Sequence, residues 1–327
     1  MAQFNNISLN TSGSGNLMEL PTFEDTSSAG NLWFDESLQR ARYSVFGEAW
    51  SSGGALSTAT YTLSGAGTQN AGLGFGGRNY SCSPSIIAFT EEYDGTSWAG
   101  GGNLTVGKCK AAGVGTQTAG LSTGGFAPTG NSNCTEEYNG NAWQSGGNLI
   151  TARFGLAGAG TQNAAIVVGS ENLYDGTGYQ TEEYGGTSWV SGQNTSTMKV
   201  FGMGAGTQNA GLAFGGADCG YQCTEEYNGT SWATGGAMII GRCLSSSSGT
   251  QGAALASGGQ NPASLSSTEA YNGSLWSAGS NLIQQRFGLA GAGTQTSALA
   301  FGGRNTPTTL QCTEEYSSLY FIRNLGE

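Results

Sequence analysis

The sequence contains no histidine. That absence removes Ser-His-Asp triads and zinc sites built on imidazole. Charge is scarce as well: only 10% of the 327 residues are Asp, Glu, Lys or Arg, and 22 acidic against 11 basic residues leave a net charge of -11. A surface of that sign repels phosphate backbones, so nucleic acid is not an expected partner. No run approaches the ~20 apolar residues of a membrane-spanning helix. The start, MAQFNNISLN, lacks the basic and apolar regions of a signal peptide. The expectation is a chain made in the cytosol, without membrane insertion. Seven cysteines are an odd number, which rules out a complete disulfide framework.

Glycine is what the chain has in excess, at 58 residues. With so few charged residues, this composition favours turns and short strands over long helices. The tripeptide G-T-Q recurs with its glutamine at Gln69, Gln117, Gln162, Gln208, Gln251 and Gln295, a period of 43 to 48 residues. Each copy is followed by a short apolar segment ending in small residues, such as AGLGFGG or AGLAFGG, and then by a variable loop. After the loop come T-E-E-Y or a near copy, an N-G or D-G turn in most units, and a tryptophan. The pairs are Tyr93/Trp98, Tyr138/Trp143, Tyr184/Trp189, Tyr227/Trp232 and Tyr271/Trp276. N-G and D-G between β-rich runs predict two-residue hairpins with positive φ at both central positions. The unit reads as four antiparallel strands, which is one propeller blade.

An apolar strand, a glycine pair, a tyrosine and a spaced tryptophan together resemble the kelch repeat, over about residues 50 to 320. The resemblance implies an all-β, six-bladed kelch-like β-propeller over 50–327, preceded by an N-terminal extension and hairpin at 1–49. The interval between Tyr and Trp is shorter here than in that family, so a tighter outer hairpin is expected. The sixth unit has Tyr316 but no following tryptophan, whereas Trp50 stands upstream of the first unit. Two closures are open: the strand around Trp50 completes the last blade, which is favoured, or residues Leu319 to Arg323 do so.

The run GNLWFDESLQRARYSVFGEAW, from Gly30, resembles a segment common in bacteriophage tail-fibre and other virion proteins. It predicts a hairpin with Leu32 and Phe34 on one face and Trp33 on the other. Trp33 and Phe34 are the expected attachment residues, either to other virion proteins or in self-association. The resemblance places the chain in the virion as a non-enzymatic structural protein. The alternative is a cellular kelch-like module that binds protein or carbohydrate.

Chemistry finds little support. The missing histidine removes the copper site of galactose oxidase, a kelch-fold enzyme. The turn YDGTSW only faintly resembles the Asp-box of sialidases. Adjacent glutamates such as Glu91/Glu92 point to opposite faces of a strand, so one pair cannot flank a glycosidic bond. One Glu of each pair is expected to meet a recurrent base, Lys108, Arg153, Arg242 or Arg286, that opens the inner strand of the next blade. No cofactor or metal is expected. Cys109 and Cys243 read as small packing residues, and Cys219 with Cys223 brackets a loop that could close a local disulfide.

Recognition in a propeller falls on loops that differ between blades. The most variable loop joins the second and third strands and carries Arg78, Tyr80, Phe126, Glu171, Tyr174, Asp175, Asp218, Tyr221 and Arg304. Aromatics with hydrogen-bonding neighbours suit a host-surface sugar or protein.

Overall fold

The computed structural model describes residues 32–35, 40–80, 85–171, 176–217 and 219–324. The chain divides into two compact units, 1–47 with 318–327, and 48–317. In the first, strand Leu32–Asp35 pairs antiparallel with the start of strand Arg40–Ser52, from Leu32↔Tyr43 to Asp35↔Arg40. This is the expected hairpin, with Trp33 opposite Arg42 and Phe34 opposite Ala41.

The second unit is a ring of six four-stranded antiparallel blades. Blade 1 consists of Ser64–Thr68, Ala71–Phe75, Thr90–Tyr93 and Trp98–Gly100, paired in that order from the channel outward. Blades 2 to 5 repeat it, with inner strands Ala112–Thr116, Ala157–Thr161, Met203–Thr207 and Ser246–Thr250. Each inner strand packs against the next, and that of blade 6, Ala290–Gly293, packs against blade 1. Small residues permit this crowding. A Cβ on Gly113 would lie 2.7 Å from the Gly65 carbonyl, and one on Gly204 would lie 2.5 Å from that of Gly158. Apolar side chains fill the spaces between blades, as with Leu121, Leu156, Val167, Tyr184 and Trp189 between blades 2 and 3.

Blade 6 takes its outer strand from the other end of the chain. Its order is Ala290–Gly293, Ser297–Phe301, Thr313–Asn324 and then Arg40–Ser52. Trp50 lies 5.1 Å from the Tyr316 ring, matching the 4.9–5.0 Å between tyrosine and tryptophan in the other five blades. The first of the two expected closures is therefore the one adopted.

The outer hairpins differ from expectation. Tyr93 pairs with Trp98, so the loop has four residues, and of its Asp94-Gly95 pair only Gly95 has a positive φ, +92°. The Asp94 carboxylate accepts from the Thr96 and Ser97 N–H groups. Asn139, Asn228 and Asn272 do the same in their blades. The side chain thus replaces the backbone twist that a two-residue turn would need. These bonds hold the exposed Asp94 carboxyl down at about 2, the Ser97 N–H contributing most.

Candidate functional site

The repeated carboxylates belong to the blade walls. In blades 2 to 6 the first Glu of each unit meets a buried cation of its own blade, not of the next. The pairs are Lys108–Glu136 (3.3 Å), Arg153–Glu182 (2.9 Å), Lys199–Glu225 (3.1 Å), Arg242–Glu269 and Arg286–Glu314 (3.0 Å). Each cation precedes an inner strand, and its long side chain runs back under the second strand to the third. Lys199 is the member that sequence reasoning missed, because its neighbours there, Met198 and Val200, break the local pattern. Burial pushes all five cations below their ordinary pKa, opposed by the glutamate beside them.

The second Glu faces the following blade, as strand alternation requires. Glu92, Glu137, Glu183, Glu226 and Glu315 accept from the phenols of Tyr138, Tyr184, Tyr227, Tyr271 and Tyr93. Blade 5 has Ala270 at this position, and Glu48 supplies the missing carboxylate to Tyr316. Burial first, and then the carboxylate, pushes Tyr93, Tyr138, Tyr184 and Tyr271 up to about 12. Each G-T-Q glutamine donates to two carbonyls of the preceding blade, as Gln208 does to Ala165 and Tyr184. Each outer tryptophan donates to the threonine that opens the third strand of the preceding blade, as Trp189 does to Thr135 at 2.9 Å.

The ring encloses a central cavity of about 220 Å³, lined mostly by glycine, alanine and serine. Lys110 is its one titratable lining residue among those described. At one mouth, Thr62, Lys110, Gly155, Phe201, Leu244 and Gly288 occupy equivalent positions, all with left-handed φ between 53° and 72°. Their backbones close a cycle of six hydrogen bonds. Thr62 N–H donates to Gly288, Gly288 to Leu244, Leu244 to Phe201, Phe201 to Gly155, Gly155 to Lys110, and Lys110 to Thr62. Left-handed threonine, lysine, phenylalanine and leucine are strained, and the cycle holds them there.

The variable loops begin beside this mouth. Arg78, Phe126 and Arg304 make backbone bridges to Tyr61, Cys109 and Phe287, and the Glu171 N–H donates to the Phe154 carbonyl. Residues 48–317 contain eight Lys and Arg, of which five are the wall cations. The other three, Arg78, Lys110 and Arg304, all lie at this mouth.

They form a continuous arc with aromatic rings. Arg304 sits over Tyr61 and Tyr80 (5.5 and 5.2 Å), and Arg78 over Phe126 (5.9 Å). Phe126 packs on Phe154 at 5.3 Å, and Lys110 lies over Phe154 and Phe201 (5.2 and 4.5 Å). Glu171 pairs with Lys110 at 3.2 Å. The Tyr61 hydroxyl donates to that of Tyr80, which lowers the Tyr80 pKa, whereas burial first and then Tyr80 push Tyr61 up to about 12. Tyr80 is 58% exposed, so the arc is open to solvent.

Of the sequence-predicted residues, Arg78, Tyr80, Phe126, Glu171 and Arg304 come together here. Exposed Tyr221 follows Cys219 in blade 4, outside the arc. Tyr174, Asp175 and Asp218 lie outside the described residues, as do the side chains of Trp33 and Phe34. Sequence reasoning missed Tyr61, Lys110, Phe154 and Phe201. Their signal was the segment before each inner strand, where the blades also diverge. The disulfide is a further correction: Cys219 bonds Cys243, not Cys223, across 24 residues of sequence, so Cys243 is not merely a packing residue. The loop folds back onto the strand entry at Cys243, whereas Cys223 lies beside the third strand and is free. Cys109 is free and buried, as expected.

No family model matches the chain, and no curated protein does. Among solved structures, YjhT aligns with a TM-score of 0.67 and 12% identity, over 83% of this chain and 99% of its own. The chain shares the β-propeller fold of YjhT. At that identity the likeness to YjhT speaks for the fold alone.

Proposed function

We propose that this chain is a non-enzymatic binding propeller of kelch type, displayed on a phage virion, whose contact surface is the cation–aromatic arc at the channel mouth. One observation carries the binding reading: every Lys and Arg of the propeller outside the wall pairs lies in that arc, on a chain of net charge -11. Aromatic faces suit the apolar faces of sugar rings, and guanidinium groups suit hydroxyl and carboxylate oxygens. The matching ligand is a hydroxyl-rich, negatively charged surface, such as a host glycan or an acidic patch on a neighbouring protein. The wall carboxylates are committed to cations, phenols or, for Glu91, backbone N–H groups, which supports a role without chemistry.

The virion assignment rests on the resemblance of residues 30–50 to virion leader segments, with those residues attaching to other virion proteins or to further copies of the chain. Binding is tested on a glycan array and on host cells, with the triple variant Arg78→Ser, Lys110→Gly, Arg304→Ser. The variant should lose binding at unchanged melting temperature; equal binding would overturn the reading. Mass spectrometry of purified virions from the source tests the assignment separately, and a particle lacking the chain would favour the cellular module instead.

A further inference from the structure

Blades 2 to 6 bury the same polar arrangement, and blade 1 omits its cation. In blade 4 the Lys199 ammonium donates to the Thr197 hydroxyl beside Glu225. In the other four of the five, the Lys or Arg side chain sits among the first Glu carboxylate and two backbone carbonyls. One carbonyl lies at the end of the second strand (Ser122, Gly169, Gly258 or Ala300), and the other just before the third (Cys134, Gln180, Ser267 or Cys312). Blade 1 has Thr60 where these blades have Lys or Arg. Glu91 is nevertheless buried, at 6% exposure against 1–3% for its counterparts. It accepts from the Ser57 and Thr58 N–H groups (2.7 and 3.3 Å), and no ion pair to it occurs among the described residues.

The space left by the shorter side chain is a small, partly open cavity of about 10 Å³. Its lining includes Glu91, Thr60, Gly74, Gly76 and Phe89. Gly74 is the counterpart of Ser122 and Ala300, Gly76 of Gly169 and Gly258, and Phe89 of Cys134 and Gln180. The cavity is thus walled by the same carboxylate and the same carbonyl positions that hold an ammonium or guanidinium elsewhere in the ring. A buried carboxylate without a counter-charge is costly. The volume admits about one water-sized particle. Leu56, Leu63, Phe75 and Ile87 complete the wall, and the acceptors in the lining, a carboxylate, a hydroxyl and backbone carbonyls, are oxygens that suit a hard cation.

We propose that blade 1 binds a small monovalent cation, of potassium or ammonium size, against Glu91, where its neighbours use a lysine or arginine side chain. The single carboxylate sets the charge at one, and Lys108 in blade 2 shows the chemistry with its ammonium tethered. This site is independent of the arc's ligand. Thr60 adjoins Tyr61 and Thr62, so occupancy also braces the strand entry that carries one end of the arc.

The test compares the wild-type chain with Thr60→Lys in potassium, ammonium and tetramethylammonium chlorides at equal ionic strength. Tetramethylammonium is too large for the cavity. The wild type should melt higher in potassium or ammonium, saturably, whereas T60K should melt at one temperature in all three. An equal response of both proteins overturns the proposal. Should T60K fail to fold, rubidium-soaked wild-type crystals decide: anomalous density beside the Glu91 carboxylate supports the site, and a peak without anomalous signal, as from water, overturns it.

Discussion

Blades 3 and 6 make the same wall contacts from differently assembled strands. In blade 3, Tyr184 and Trp189 belong to one hairpin, and Trp189 donates to Thr135 of the preceding blade. In blade 6, Tyr316 and Trp50 come from opposite ends of the chain, yet Trp50 donates to Thr268 in the same way, at 3.2 Å. Gln69 of blade 1 also grips blade 6 as any G-T-Q glutamine grips its predecessor, through the carbonyls of Ala298 and Tyr316. The contacts are therefore set by position in the ring, not by neighbourhood in sequence. Blade 3 is held locally, while blade 6 exists only once the ring has closed. A loop that closes through nearly the whole chain costs little more entropy than one half as long, so closure is a feasible last step.

Truncation should break this comparison most forcefully. A chain beginning at Gly53 loses Trp50, Glu48 and the outer strand of blade 6, leaving a bare sheet edge. It should aggregate or melt far below the full chain by calorimetry and size-exclusion chromatography. A chain beginning at Glu48 keeps every closing contact named above and should retain most of the melting temperature. If the two truncations behave alike, blade 6 does not depend on its borrowed strand. Next in size come Trp50→Ala and Trp189→Ala, each expected to cost ~3–5 kcal/mol for a large aromatic removed from a packed site. Denaturant titration should give the same order of loss for both. A much smaller loss for Trp50 would mean that closure is looser than a regular blade.

The repeat was legible because each wall residue type recurs in five or six blades with an equivalent partner. G-T-Q, the double glycine, T-E-E-Y and tryptophan mark the strands, and an unpaired tryptophan at the start of the count, Trp50, with an unpaired tyrosine at its end, Tyr316, pointed to the closure. Alternation correctly separated the two glutamates of a pair. The blade of the cation was misjudged, because a long side chain reaches the third strand of its own sheet, a distance that linear spacing does not encode. The arc was half legible. Arg78, Phe126 and Arg304 stood in loops that visibly vary, whereas Lys110 and Phe201 hide in the strand entry, where left-handed backbone aims them at the mouth. Cys219–Cys243 joins a loop to the next strand entry, and no sequence interval distinguishes it from a bond to Cys223.

Alkaline titration should act on all six interfaces. Tyr93, Tyr138, Tyr184 and Tyr271 are pushed up to about 12, and Tyr227 and Tyr316 are raised further. An unfolded phenol titrates near 10. Between those values the unfolded chain binds fewer protons than the folded one, so stability present below pH 10 falls as pH rises through about 12. Melting temperature followed with tyrosinate absorbance should decline together over that window. A flat profile would show that the Tyr–Glu contacts contribute nothing. In the comparison, the tyrosine of blade 6 should ionise after that of blade 3, because burial raises Tyr316 further.

The smallest effect concerns the carboxylate that reaches Tyr316. In blades 1 to 4 and 6 the second Glu of a unit serves the tyrosine of the following blade, but blade 5 has Ala270, and Glu48 takes the task. Glu48→Ala leaves a buried phenol without its acceptor, expected to cost ~1–3 kcal/mol. Ala270 lies opposite Leu255 and Ser277, as Glu226 lies opposite Leu212 and Ala233. A glutamate placed there has the register to reach Tyr316. Ala270→Glu alone brings a second negative charge toward Glu48 and should destabilise slightly, whereas combined with Glu48→Ala it should recover most of the loss in denaturant titration. That sign reversal is specific to a shared acceptor position. If the double variant is merely the sum of two losses, the Glu48 carboxylate acts by accepting from the Ser280 N–H rather than as a substitute for the repeat's missing glutamate.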